Sequence, residues 1–195
     1  GSARDYVMTF GAEGATMLSN LIAFRLAAVY WGTQGFGEYV LARRTMGMLQ
    51  LPILAGLGLA ITRYVARSVV SNSAAERAYL VAAAVIVCAN ITLAVLILNV
   101  PGNFMAALLL GSPTRIPLLH ALSIAAVALV VHGLAYGMHR GNFNMVAANT
   151  LQAVNLALMP LVAFGIPGLS VAQFIATVGI LWAIVATTSI ARQLY

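Results

Sequence analysis

The sequence predicts an all-α integral membrane protein, a six-transmembrane-helix bundle with a cytoplasmic N-terminus and a cytoplasmic C-terminus. Three observations lead to this prediction. Of the 195 residues, 62% are hydrophobic and only 7% are charged, whereas soluble globular proteins carry about 25% charged residues. The apolar residues form six runs of roughly 20 residues, the length that crosses a bilayer. Arginines collect near the ends of these runs, as they do in membrane proteins.

The six spans are predicted at about residues 7–30, 39–65, 78–99, 116–138, 144–165 and 170–191. Turn-forming segments separate them: WGTQGFGE, SNSAAER, the stretch from VPGNF to GSPTR, HRGNFN and GIPG. The first run contains Glu13, Asn20 and Arg25, so it is predicted to be a retained helix and not a signal peptide. Pro52 and Pro160 predict kinks in the second and fifth spans. Because no long linker divides the chain, residues 1–195 are predicted to form a single transmembrane bundle.

Arginine also sets the expected orientation, because cytoplasmic loops accumulate positive charge. With the N-terminus inside, the outer loops hold Arg115, and Arg25, Arg43 and Arg44 lie near the outer ends of the first two spans. The cytoplasmic side then collects the other six arginines, which are Arg4, Arg63, Arg67, Arg77, Arg140 and Arg192. We therefore expect a multi-pass inner-membrane protein whose termini both face the cytoplasm.

Few residues of this chain are suited to catalysis. The four acidic residues cannot build a polyacidic metal site, and the three histidines have no carboxylate or cysteine near them in sequence. Signatures of serine hydrolases, zinc proteases and P-loop nucleotide hydrolases are missing from the sequence. We therefore expect a protein that is not an enzyme and that uses no metal or cofactor. The net charge of +6 is assigned to membrane topology, so no nucleic-acid partner is expected.

Polar residues inside the spans are the candidates for function. An arginine in a span normally faces a protein interior or a water-filled cavity, although Arg25, Arg43 and Arg44 could instead extend to the outer headgroups. At about 100° per residue, Arg43 and Gln50 share a helix face, whereas Arg44 is turned aside. These residues predict a cationic lining, with topology anchors as the alternative.

Further polar residues lie in the other spans. Asn149 and Gln152 are spaced so that they share one face of the fifth span. Their side chains could either form hydrogen bonds between helices or bind a substrate. Glu13 and His132 are candidates for proton or ion coupling. Gly133 and Gly137 form a GxxxG pattern that permits close helix approach, either within the bundle or in a dimer.

Two stretches carry a resemblance to a known family. The turn residues Gly32, Gly35, Phe36, Gly37 and Tyr39 are followed by Gly56, Leu57, Gly58, Ala60, Arg63, Tyr64 and Ala66. This pattern resembles the first two-helix unit of polysaccharide flippases, exporters of O-antigen and exopolysaccharide in the multidrug/oligosaccharidyl-lipid/polysaccharide exporter superfamily. The segment GMHRGNFNMVAANTLQAVN, residues 137–155, resembles the link between the fourth and fifth helices of that family.

The resemblance implies a transporter of two six-helix lobes, of which this chain supplies the N-terminal lobe. Two bundles would rock around a central cavity and pass an undecaprenyl-diphosphate-linked oligosaccharide from inside to outside. By that analogy Arg25 and Arg43 are candidate diphosphate contacts, and Gln50, Asn149 and Gln152 are candidate sugar contacts. Expected partners are the lipid-linked oligosaccharide, membrane lipids and a second six-helix lobe, in the same full-length chain or another subunit. A membrane scaffold without transport, or a multidrug antiporter of the same superfamily, are the alternatives.

Overall fold

A computed structural model describes residues 3–54, 56–71 and 74–194. Gly1 and Ser2, and the side chains of Arg4 and Arg77 that the orientation prediction counts, lie outside the described residues. The chain is 92% helical, with no strand in the part that the structure describes, so the predicted all-α class is confirmed. The helices are α1 (Ala3–Leu54), α2 (Leu57–Ser71), α3 (Ala74–Asn99), α4 (Gly102–Leu110), α5 (Ile116–Gly141), α6 (Met145–Gln152), α7 (Met159–Phe164) and α8 (Val171–Leu194).

Helix α1 is a hairpin of two arms, residues 3–31 and residues 33–54, that turn at Gly32. The backbone of Gly32 is non-helical, with φ 63° and ψ −166°, a combination that is essentially restricted to glycine. Contacts between the arms establish the reversal: the Phe24 and Tyr39 rings are 5.7 Å apart, whereas a straight helix would separate these residues by about 22 Å. The predicted turn after the first span is thus confirmed, although it is tighter than the eight-residue segment WGTQGFGE.

The predicted second span is broken between α1 and α2. Gly56 has a positive φ of 75°, and the helix axis bends by 45° here. Pro52 lies inside the last turn of α1, where its missing N–H weakens the helix. The predicted span over residues 39–65 is thus interrupted at Gly56, four residues after the Pro52 at which a kink was predicted, and Arg63 and Arg67 lie on the separate helix α2.

A second difference lies between the third and fourth spans. Residues 102–110 were predicted to belong to a loop, but Gly102–Leu110 forms α4, which turns by 90° from the end of α3. Its C-terminus is capped by Gly111 in the left-handed conformation. The buried side chains of Ala106 and Leu110 join the main core, so burial of an apolar face stabilises this short helix.

Helix α5 lies at the centre of the bundle, between α8 and α2. Gly137 faces the backbone of α2: a Cβ atom added there would lie 3.2 Å from the Gly58 carbonyl oxygen, whereas one on Gly133 would meet only the Leu54 side chain, at 3.6 Å. On the other side, a Cβ atom on Gly179 of α8 would lie 2.9 Å from the Cα atom of Ala125. Of the Gly133–Gly137 pattern, Gly137 thus permits close approach of α5 to α2 within the bundle.

Three stretches are long and apolar enough to cross a membrane: Pro113–Gly141, Met145–Phe164 and Val171–Arg192. The number rises to five in the described part of the chain if each of two bent helix pairs is counted as one span. These pairs are Tyr6–Leu54 with Gly58–Arg67, and Ala84–Asn99 with Gly102–Leu110. These helices fit a membrane protein. The fourth, fifth and sixth predicted spans agree with the structure to within about three residues.

Candidate functional site

Arg43 and Asn20 meet deep between the two arms of α1. The Nη2 atom of Arg43 donates a hydrogen bond of 2.8 Å to Oδ1 of Asn20. Both residues are about 16–18 Å from the Gly32 turn at the α-helical rise of about 1.5 Å per residue. The Arg43 side chain is half-buried and also makes a hydrogen bond with the side chain of Tyr39. Because a guanidinium carries five N–H donors, some donors remain beyond these two contacts. This pair joins a predicted site residue to a polar residue of the first arm.

Three other charged residues of α1 lie on its exposed surface. Arg25, Arg44 and Glu13 are all exposed on the isolated bundle. Glu13 lies about 28 Å along the first arm from Gly32, and Arg25 lies about 10 Å from it. The exposed surface of the first arm therefore combines Glu13 and Arg25 with large apolar side chains such as Phe10 and Leu21.

The five predicted binding residues do not form one cluster. Gln50 is half-buried and lies about 10 Å along the second arm from Arg43. Asn149 is buried, and its Nδ2 atom donates to Oγ1 of Thr9 at 3.1 Å, near the beginning of the first arm. Thr9 is about 16 Å along the helix from Asn20. Gln152, one turn from Asn149, is also buried. Asn149 and Gln152 thus lie inside the bundle, away from Arg43.

His132 belongs to a buried polar network that includes a residue the sequence analysis missed. The Nδ2 atom of Asn155 lies 3.2 Å from Nδ1 of His132 and donates to the Trp182 carbonyl oxygen at 3.1 Å. In return, the Trp182 indole N–H donates to the Asn155 carbonyl. Since the amide donates to His132, Nδ1 must accept and the ring proton belongs on Nε2. The network links α5, α8 and the segment between α6 and α7.

Asn155 lies in a π-helical turn, Ala153–Leu158, between α6 and α7. Its side chain is fully buried, and its Oδ1 atom has no hydrogen-bond partner within the described chain. Ser19 of the first arm donates to the carbonyl of Ala157 in the same turn at 2.6 Å. Pro160 lacks an N–H for the regular helical bond to Leu156, which favours local rearrangement of the helix. In the sequence, the signal that could have identified this site is an asparagine, Asn155, five residues before Pro160 in an apolar run.

Several residues of the flippase-like motif stabilise the hairpin. Tyr39 is 1% exposed, and its ring lies within 6 Å of the rings of Phe24, Trp31 and Phe174. The Trp31 indole donates to the Leu169 carbonyl oxygen at 2.8 Å. At Gly35, a Cβ atom would lie 2.3 Å from the Cβ atom of Trp31. Aromatic packing at Tyr39 and the lack of space beside Trp31 at Gly35 therefore account for these two motif residues.

No known family, curated protein or solved structure matches this chain. Within the described residues, no group of three or more His, Cys, Asp or Glu side chains is arranged to hold a metal. What the chain does is therefore inferred from its own residues and their geometry.

Proposed function

We propose that this chain is one lobe of a polysaccharide biosynthesis transporter, which flips an undecaprenyl-diphosphate-linked oligosaccharide across the inner membrane by alternating access. The observation that carries the proposal is the Arg43–Asn20 pair, a half-buried arginine about 16 Å from the nearest turn of the hairpin. An arginine at such depth in a bilayer costs roughly 2.5–3.5 kcal/mol on insertion scales. A role for its charge would account for an arginine at this position.

Six crossings follow if each arm of the α1 hairpin spans the membrane. The first arm, the second arm with α2, and α3 would cross before α5, the α6–α7 helix and α8. An even number of crossings places both termini on one side, and the excess of arginine there favours the cytoplasm. Gly32 would then lie at the outer surface, with the Arg43–Asn20 pair near the bilayer centre.

The chemistry of the substrate suits an arginine at this position. A diphosphate presents paired oxygens with negative charge, and a guanidinium offers paired donors in a matching plane. Hydrogen bonds to Asn20 and Tyr39 use part of the five guanidinium donors and restrict the orientation of the side chain, which reduces the entropy lost on binding. Arg25, nearer the outer end, would receive the diphosphate later in transport.

A second six-helix lobe would cover the exposed face of the first arm. Glu13 and Arg25 are exposed there, at positions that would lie within the bilayer. Charged side chains at that depth face a protein interior or a water-filled cavity, not lipid. A cavity shared between two lobes satisfies this requirement and provides the transport route of an alternating-access protein.

The test uses the full-length gene product reconstituted in proteoliposomes with undecaprenyl-diphosphate-linked oligosaccharide. The measurement is the rate at which the sugar becomes accessible on the opposite face. Arg43→Ala is expected to lower the rate about tenfold or more, because a hydrogen bond to a charged group contributes about 1.5–3 kcal/mol. The flipping rate of Arg43→Lys should lie between those of the wild-type protein and Arg43→Ala, because lysine keeps the charge but lacks the planar guanidinium.

Arg44→Ala is the matched control, because it removes the same charge from an adjacent, exposed residue that is turned aside from the pair. Its rate should stay close to wild type. Equal rates for Arg43→Ala and the wild-type protein would rule out the role assigned to Arg43. A wild-type protein that leaves the oligosaccharide unmoved would rule out flipping altogether.

Glu13 supports a second candidate, a proton- or ion-coupled multidrug antiporter. Of the two carboxylates whose side chains the structure describes, Glu13 and Glu38, Glu38 lies near the hairpin turn and 3.7 Å from Arg115. Glu13 is exposed and lies far along the first arm. A carboxylate so placed is a candidate for coupling. Loss of drug-driven proton movement in Glu13→Gln, with oligosaccharide flipping absent from the wild-type protein, would favour this candidate.

A further inference from the structure

A cleft opens between α6 and α8 at the end of the bundle where Arg192 lies. Its volume is about 660 Å³, and it is separate from the Arg43–Asn20 pair. Because α6 begins at this end and α8 finishes here, the two helices run antiparallel along the cleft. Each level of the cleft is therefore lined by both segments, and the start of α6 lies opposite the last turns of α8.

The charged and amide side chains of the lining lie at the Arg192 end of the cleft. Arg192, Asn144 and Ser189 line the cleft there, together with His139 from the last turn of α5. The Nε2 atom of His139 and Oγ of Ser189 are 2.6 Å apart, which holds the hydroxyl beside the cleft. None of the described lining residues is acidic. This end is thus positively charged and rich in hydrogen-bond donors.

The lining becomes apolar toward the centre of the bundle. Val154 lies in the π-helical turn, about 15 Å along the helix from Asn144. Ile184 and Val185 of α8 line the cleft at the matching level, about 10–12 Å from Arg192. A ligand that fits both parts has an anionic head and an apolar tail, with the tail directed along the helices.

We propose that this cleft binds the phosphodiester headgroup of an anionic phospholipid at the membrane surface, with an acyl chain lying against Val154, Ile184 and Val185. Basic pockets between transmembrane helices are suited to anionic headgroups. The membrane supplies this ligand at high local concentration. The site depends on insertion of the bundle in a bilayer and is independent of the transport proposed above.

The experiment reconstitutes the full-length protein in phosphatidylcholine vesicles with and without phosphatidylglycerol. Spin-labelled phosphatidylglycerol and spin-labelled phosphatidylcholine report the preference of the protein for the anionic lipid. Arg192→Gln should lower that preference about fivefold, the effect of one basic residue near a membrane surface. Thr188→Phe should lower it as well, because Thr188 is an exposed lining residue whose enlargement fills the cleft without changing charge.

Arg63→Gln is the matched control. Arg63 is an exposed arginine of α2 that does not line the cleft, and it belongs to the same predicted side of the membrane. The proposal expects a smaller change for Arg63→Gln than for Arg192→Gln. Equal losses would mean that only the general surface charge attracts the lipid, and would overturn the site. An unchanged preference in Thr188→Phe would overturn it too.

Glycerol 1-phosphate distinguishes a lipid site from a phosphate site. This probe carries the anionic group without an acyl chain. If it fails to displace spin-labelled phosphatidylglycerol, the apolar part of the cleft contributes to binding, as proposed. Displacement at a concentration similar to that of the lipid would assign the cleft to a soluble phosphate and overturn the lipid assignment.

Discussion

Arg43 and Asn20 lie 23 residues apart in sequence but are joined by a hydrogen bond of 2.8 Å. The contact exists because the chain reverses at Gly32, whose backbone conformation permits two arms of one helical segment to pack side by side. Asn20 and Tyr39 are hydrogen-bond partners of a cation whose placement in an apolar environment would otherwise be costly. The reversal at Gly32 is therefore required for the Arg43–Asn20 hydrogen bond, which in turn orients the arginine of the proposed substrate site.

Removing Asn20 tests the structural side of this pair. Asn20→Leu is expected to lower the free energy of unfolding by about 1.5–3 kcal/mol, because Arg43 loses a charge-assisted hydrogen bond. Thermal unfolding in detergent measures the change. Thr16→Val is the control on the same arm, since Thr16 donates only to Ala12 of its own helix and should cost little. Similar losses in both variants would contradict a specific role for Asn20.

Gly32→Ala tests the hairpin turn. The φ of 63° and ψ of −166° at Gly32 lie in a region that costs a residue with a Cβ atom about 1–3 kcal/mol. The variant should unfold at lower temperature, and tryptophan emission should shift to the red as Trp31 leaves its aromatic cluster. Gly37→Ala, at a helical position with open space around it, should be neutral or stabilising. Comparable stability of the two variants would contradict the strained turn.

Gly141→Ala tests the approach of α5 to α2. An added Cβ atom would lie 2.5 Å from Cβ of Val65 and 2.9 Å from the Thr62 carbonyl oxygen. Overpacking of this kind costs about 1–3 kcal/mol, to be measured as a decrease in the unfolding temperature. Gly47→Ala, which meets no atom within 4 Å, is the control and should keep wild-type stability. If Gly141→Ala is equally stable, the two helices do not pack this closely.

Asn155→Ala tests the buried network around the π-helical turn. The substitution removes the donor to Nδ1 of His132, and a buried acceptor left unpaired costs about 1–3 kcal/mol. Asn90→Ala is the comparison: Asn90 is half-buried and donates to the Ile53 carbonyl at 3.3 Å, so a smaller loss is expected. Denaturant unfolding measures the loss of stability in each variant. A larger loss in Asn90→Ala than in Asn155→Ala would contradict a special contribution of the buried network.

Replacing Arg25, Arg43 and Arg44 together by lysine separates transport from scaffolding. Lysine keeps each positive charge, so membrane topology should be preserved. Diphosphate binding through a planar guanidinium should weaken, and the rate of oligosaccharide flipping should fall severalfold. Wild-type flipping by the triple variant would mean that these arginines act in topology alone. The scaffold alternative predicts intact complex assembly with no flipping in either protein.

The sequence by itself determined the helical class and the positions of three helices long enough to cross a membrane. A run of about 20 apolar residues must satisfy its backbone internally when it leaves water, so hydropathy located the helices at Ile116–Gly141, Met145–Phe164 and Val171–Leu194 to within a few residues. Helical rotation also placed Arg43 apart from Arg44, which the structure describes as half-buried and exposed, respectively. Each of these results depends on local periodicity along one helix.

Only the tertiary structure decided which polar residues meet. Arg43 pairs with Asn20, Asn149 with Thr9, and His132 with Asn155, and each pair joins separate helical segments. Sequence periodicity assigns a residue to a face but does not specify the helix opposite that face. The break at Gly56 and the helix α4 also depend on packing, because the burial of Ile61, Val65 and Leu110 against other helices offsets the cost of interrupting a span.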